Sequence, residues 1–105
     1  MSSDSRGGPA LHSTFGTDPD MGELISAFVS ELPDRVAELE RAWSEMNTAE
    51  LKRFAHQMKG AAPGYGFDPL GTAAAALEAA ALEADAERIR RELDALVNLC
   101  NRASA

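Results

Sequence analysis

From Leu70 to Ala105 the chain is dominated by alanine and carries very few β-branched residues. A stretch of this kind has high helix propensity and lacks the β-branched and aromatic content that strands favour. No alternating period-two pattern occurs elsewhere, so the whole chain reads as all-α. Its 105 residues make one domain, large enough for a single helical core without disulfide or metal staples.

Punctuation divides the chain into short-looped helices. Residues 1–17 read as a flexible N-terminal arm rich in Ser and Gly. Asp18 can cap a helix with Pro19 at its first position. Met21, Leu24, Ile25, Phe28, Val29 and Leu32 follow helical spacing, and Val36, Leu39, Ala42, Trp43 and Met46 extend the stripe beyond Pro33. That proline predicts a kink or a new helix start, because it removes a backbone donor. Asn47-Thr48 marks a turn, with Thr48 as the expected cap and an acid one position early for a capping box. A helix is expected from about Ala49 to about Ala62, ended by Pro63-Gly64-Tyr65-Gly66. Asp68-Pro69 opens the next, and Asp85 opens the last, which carries Ile89, Leu93, Leu96, Val97 and Cys100 on one side. Short connections make successive helices antiparallel. The expected fold is an antiparallel up-down four-helix bundle over residues 18–102, with a short N-terminal extension or extra helix and a frayed 103–105 terminus.

Charge narrows the function. The formal net charge is −7 and the isoelectric point about 4.7. Nucleic-acid affinity depends mainly on neutralising phosphates, so neither DNA nor RNA is an expected partner. An anionic membrane surface is disfavoured for the same reason. No apolar run reaches the roughly 20 residues needed to span a bilayer, and the first residues lack a signal-peptide core. Cys100 is the single cysteine, which fits a reducing compartment. A cytoplasmic monomer is expected.

The segment Leu51-Lys-Arg-Phe-Ala-His-Gln-Met-Lys-Gly-Ala-Ala62 carries the chemistry. At helical spacing Leu51, Phe54, Ala55, Met58, Ala61 and Ala62 share one face, and His56 lies roughly 150° from its centre, towards solvent. Its neighbours three and four residues away are Lys52, Arg53, Lys59 and Gly60. Three are cations in a chain with only 10 Lys and Arg. Neutral imidazole is a nucleophile near neutral pH, and nearby cations stabilise the negative charge it gains on phosphorylation. Gly60 costs about 0.5–1 kcal/mol in a helix relative to alanine, and leaves room for a second protein to approach.

The run His56-Gln-Met-Lys59-Gly60-Ala61-Ala62, followed by Gly66, Leu70 and Leu77-Glu78, resembles the signature of histidine-containing phosphotransfer (HPt) domains. Phe28 to Glu40, with Pro33 near its middle, is similar to the family's first long helix. The likeness covers about residues 18–100. It implies that His56 is the phosphoacceptor, through its outer ring nitrogen, and that Lys59 and Gly60 take the family's Lys and Gly positions. Lys52 and Arg53 are candidates for phosphoryl stabilisation or docking from their placement. Pro63-Gly64 departs from the pattern and implies an early end to the phosphorylated helix. The resemblance also implies partners: response-regulator receiver domains, a hybrid histidine kinase, or both, in a two-component phosphorelay. It implies a phosphoryl carrier without kinase activity, cofactor or metal of its own, with Mg²⁺ on the receiver.

Plainer readings compete with each feature. A lone surface histidine is usually just solvated, as is most often true of a cationic helix face. Here the cations surround one imidazole. His12 lacks such a setting. Gly64-Tyr65-Gly66 lacks the spacing of a P-loop and reads as a turn. One Cys and two distant His do not make a metal site. Trp43, Met46 and Met58 read as packing, Glu78 as a cap or surface charge contact, and Tyr65 and Phe67 as contact area beside His56. Two alternatives remain open: a non-catalytic adaptor or scaffold bundle, and a chemotaxis-type substrate domain phosphorylated directly by a separate kinase.

Overall fold

The computed structural model describes residues 9–105. Four helices pack as an all-α bundle: α1 (Gly22–Ser44), α2 (Thr48–Ala61), α3 (Asp68–Glu83) and α4 (Ala86–Arg102). A 3-10 turn, Ala62–Tyr65, continues α2. Two-residue strands, β1 (Leu11–His12) and β2 (Ala103–Ser104), pair in parallel. Among the described residues no helix is long and apolar enough to cross a membrane.

Helix boundaries follow local chemistry, with corrections to the sequence reading. α1 starts at Gly22, after the expected Asp18, because the Asp18 carboxylate accepts from Asp20 N (2.9 Å) and forms a local turn. Pro33 lies inside α1 and no second helix starts there. The cap of α2 is Asn47, whose side chain accepts from Glu50 N at 3.1 Å. With Asn47 as cap, Glu50 falls at the third helical position, where an acid also suits the helix dipole. Asp85 caps α4 as expected, accepting from Arg88 N at 3.2 Å.

The stripes read from the sequence meet in one core. Ile25, Phe28, Leu32 and Leu39 of α1 face Leu51 and Met58 of α2, Leu70 and Leu77 of α3, and Ile89, Leu93 and Leu96 of α4, all buried. Small residues on α3 let α2 approach closely, and these two helices share the most extensive contact. A Cβ on Gly71 would stand 2.8 Å from Pro63 Cγ. Met46 leaves the expected stripe: it is 84% exposed, because it adopts a positive φ of 56° as α1 ends. Trp43 is half-buried beneath Arg90, whose guanidinium grips Glu40 through two bonds (3.1 and 3.2 Å).

The terminal segments meet each other. Of the arm expected over 1–17, residues 1–8 lie outside the described residues. Over the rest, Leu11 and His12 pair with Ala103 and Ser104, inside the tail expected to fray. Arg102 Nε donates to Pro9 O (2.8 Å). Ser13 Oγ donates to Tyr65 O (2.6 Å), and Thr14 N to Gly66 O (2.9 Å). The extension is therefore strand and turn, not an extra helix, and it ties the turn after α2 to the end of α4.

Candidate functional site

Helix α2 sorts its side chains as its period dictates. Leu51, Ala55 and Met58 are buried, while Lys52, Arg53, His56, Gln57 and Gly60 are exposed. The His56 side chain keeps 67% of its surface accessible. An open depression of about 600 Å³ runs beside it, lined by Ala49, Lys52, Arg53, His56, Gln57 and Glu78.

Glu78 on α3 organises the site. Its Oε2 lies 2.9 Å from Nδ1 of His56, and its Oε1 lies 2.7 Å from Nζ of Lys59. One carboxylate thus joins two side chains of the facing helix. The Lys59 ammonium is the largest influence holding the Glu78 carboxyl below its usual range; burial opposes it and the His56 contact adds to it. An ionised carboxylate can only accept, so Nδ1 must carry the proton. In the neutral ring Nε2 then keeps its lone pair, and among the described residues it has no hydrogen-bond partner.

The four positions around His56 separate in space. Lys59 joins it through Glu78. Lys52 faces the same depression, with no ion pair or hydrogen bond among the described residues. Arg53 turns aside: its guanidinium pairs with Glu50 and lies 4.6 Å over the Phe54 ring. Gly60 is open, with nothing within 4 Å of where a Cβ would stand. One expected contact residue is elsewhere. Phe67 is fully buried, since the chain re-enters the core after the Gly66 turn and its ring stacks against Phe28 at 5.7 Å. Tyr65 is half-buried, 4.6 Å from the same ring.

The bridging role of Glu78 was not assigned from the sequence. It lies 22 residues from His56, and only the packing of α3 on α2 brings them together. The available signal was the Leu77-Glu78 pair in the resemblance.

Among the described residues no group of three or more His, Cys, Asp or Glu side chains is placed to hold a metal ion. A family model described as Hpt domain matches residues 23–105. No curated protein and no solved structure matches the chain.

Proposed function

The chain belongs to the Hpt domain family, and from that premise we propose that His56 carries a phosphoryl group between receiver domains of a two-component phosphorelay. Hpt domains serve histidine phosphotransfer and are phosphocarriers, not catalysts; their partners are receiver domains and histidine kinases. The observation that supports assigning the role to His56 is an exposed imidazole whose Nδ1 is held by Glu78, leaving Nε2 as the nucleophile.

The lone pair of Nε2 attacks the phosphorus of an aspartyl phosphate on a receiver. The N–P bond forms as the P–O bond to the aspartyl carboxylate breaks, and that carboxylate leaves with the electron pair. In the neutral ring with hydrogen on Nδ1, the Nε2 lone pair attacks without any proton having to move. The product ring carries hydrogen on Nδ1 and phosphoryl on Nε2, so it is cationic, and Glu78 lies where it balances that charge. Onward transfer reverses these changes on a second aspartate.

Lys59 stabilises the phosphoryl oxygens by exchanging part of its contact with Glu78 for them. Gly60 gives the partner clearance beside His56. Lys52 adds positive charge on the same face. Arg53, engaged with Glu50, contributes through docking. Charge on a transferring phosphoryl group calls for electrostatic stabilisation, and we assign the Mg²⁺ that supplies it to the receiver. We place the protein in the cytoplasm as a monomer.

The test is phosphotransfer from a phosphorylated receiver, with His56→Gln alongside. Acid-labile, base-stable label on the wild type and none on the variant is the expected result. A folded wild type that takes no label from receivers or kinases sinks the relay in favour of an adaptor bundle. Label from a kinase alone selects the chemotaxis-type substrate domain.

A further inference from the structure

A partner that exchanges a phosphoryl group with His56 must cover the surface around Nε2. Specific interfaces bury about 800 Å² on each side, and their energy concentrates in a few apolar or aromatic anchors near the centre. Four large apolar side chains are exposed among the described residues: Phe15, Leu24, Met46 and Leu82. Phe15 precedes α1, Leu24 lies in its first turns, and Met46 lies in the α1–α2 connection. Leu82 alone is on one of the two helices that build the His56 site.

Its position on α3 places it on the correct side. Leu82 follows Glu78 by one helical turn, so the two share a face. Gly71 lies against Pro63 and Lys59, whereas Glu78 reaches Lys59 and His56. Higher numbers on α3 therefore meet lower numbers on α2. Beyond Glu78, α3 runs back alongside the α2 turn that bears Lys52 and Ala49. Leu82 lies about 6 Å along α3 from Glu78, and Lys52 about 6 Å along α2 from His56. The other two leucines of that helix, Leu70 and Leu77, are completely buried, while Leu82 is 66% exposed.

We infer that Leu82, with Lys52 across from it, is the apolar anchor of the surface that docks the receiver domain. This rests on the relay reading of His56. The fitting partner surface pairs an apolar side chain with an anionic aspartyl-phosphate site. Leu82 meets the first, and Lys52, whose ammonium has no ion pair or hydrogen bond among the described residues, meets the second. The anchor sits on the Lys52 side of His56, opposite the bare Gly60 flank, so the partner is held on one side and admitted on the other.

Leu82→Ala and Leu82→Asp in the full chain test this with two phosphoryl sources. One is a phosphorylated receiver; the other is phosphoramidate, a small donor that needs no docking surface. The expected result is a KM for the phospho-receiver raised about tenfold by Leu82→Ala and further by Leu82→Asp, with labelling by phosphoramidate unchanged. An unchanged KM in both variants, with the wild type transferring normally, overturns the anchor and leaves the relay standing. A wild type that is labelled by phosphoramidate yet accepts nothing from phospho-receivers overturns the relay reading and the anchor with it.

Discussion

Nδ1 of His56 lies 2.9 Å from Oε2 of Glu78, across the contact between α2 and α3. The second oxygen of that carboxylate lies 2.7 Å from Nζ of Lys59. A single acidic side chain therefore sets which imidazole nitrogen is free and where the nearest ammonium rests. The exposed ring is orientated by a residue on another helix, not by its own.

Glu78→Ala is expected to slow phosphorylation of His56 by about tenfold. The carboxylate holds the ring by a charge-assisted hydrogen bond, and its loss frees both the orientation and the tautomer of the imidazole. Glu78→Gln keeps an acceptor without the charge and should fall between. Nitrogen NMR of the imidazole reports the tautomer directly. Equal rates and an unchanged tautomer in Glu78→Ala would remove the positioning role.

Lys59 governs the acid titration of Glu78. The carboxyl in the folded protein lies below its ordinary value of 4.5, with the Lys59 contact as the largest cause. The linked stabilisation is complete above 4.5 and is lost as pH falls through the lower, folded-state value. In Lys59→Ala the Glu78 midpoint, followed by carbon NMR, should move upward. The same variant should shorten the lifetime of phospho-His56 or slow its transfer. An unmoved midpoint contradicts the assigned ion pair, and unchanged lifetime and transfer remove Lys59 from the chemistry.

Gly60→Gln should block receiver docking while leaving the bundle as stable or more so. No atom lies within 4 Å of a Cβ at that position, and replacing a glycine of helical conformation, here in the last turn of α2, gains up to about 0.5–1 kcal/mol of helix propensity. Circular dichroism with thermal melting checks the fold, and a binding titration checks docking. If docking survives with the helix intact, clearance is not the reason for this glycine.

Gly66→Ala should destabilise the protein by about 1–3 kcal/mol, the range for a non-glycine residue held in the left-handed region. Its φ is +84°, and a Cβ there would stand 2.3 Å from Ser13 Oγ and 2.9 Å from Thr14 N. Adding Ser13→Ala should recover only part of the loss, because the backbone contact and the φ remain. A melting temperature equal to wild type would show that the N-terminal segment does not hold this turn in solution.

Cys100 should be unreactive until the protein unfolds. It is 5% exposed, and burial pushes its thiol up to about 12, against a small opposing influence from Arg35. Thiolate is the reactive form, so alkylation at neutral pH should track unfolding with denaturant. Rapid alkylation of the native protein would contradict that burial.

Much of the fold was legible along the chain because helices are local. Apolar spacing in α4 placed Ile89, Leu93, Leu96 and Cys100 on the buried side. Asp85 announced its cap, and Pro63 to Gly66 announced the end of α2 and its turn. The errors came where two local signals competed. Asp18 could cap a helix or close a turn on itself, and Asn47 and Thr48 could each cap α2. Met46 matched the α1 stripe, but a left-handed residue ended the helix and turned its side chain outward. No local pattern could report the pairing of Leu11–His12 with Ala103–Ser104, since each strand is two residues long and its partner lies at the far end of the chain.

The sequence by itself determined the bundle and the exposure of His56, because the period of α2 and the apolar residues at its buried positions leave the imidazole only the solvent face. It also put Lys52, Lys59 and Gly60 within a helical turn of that ring. Only the tertiary structure decided which of those groups act together. Arg53 went to Glu50, Lys59 to Glu78, and Nδ1 of His56 to the same carboxylate. Side-chain pairing depends on what the neighbouring helix presents at a distance of a few ångströms, and the register of α3 against α2 is set by their buried faces and by the close contact of Gly71 with Pro63 in the turn that follows α2. That register, which is not a property of either helix alone, brings Glu78 to His56.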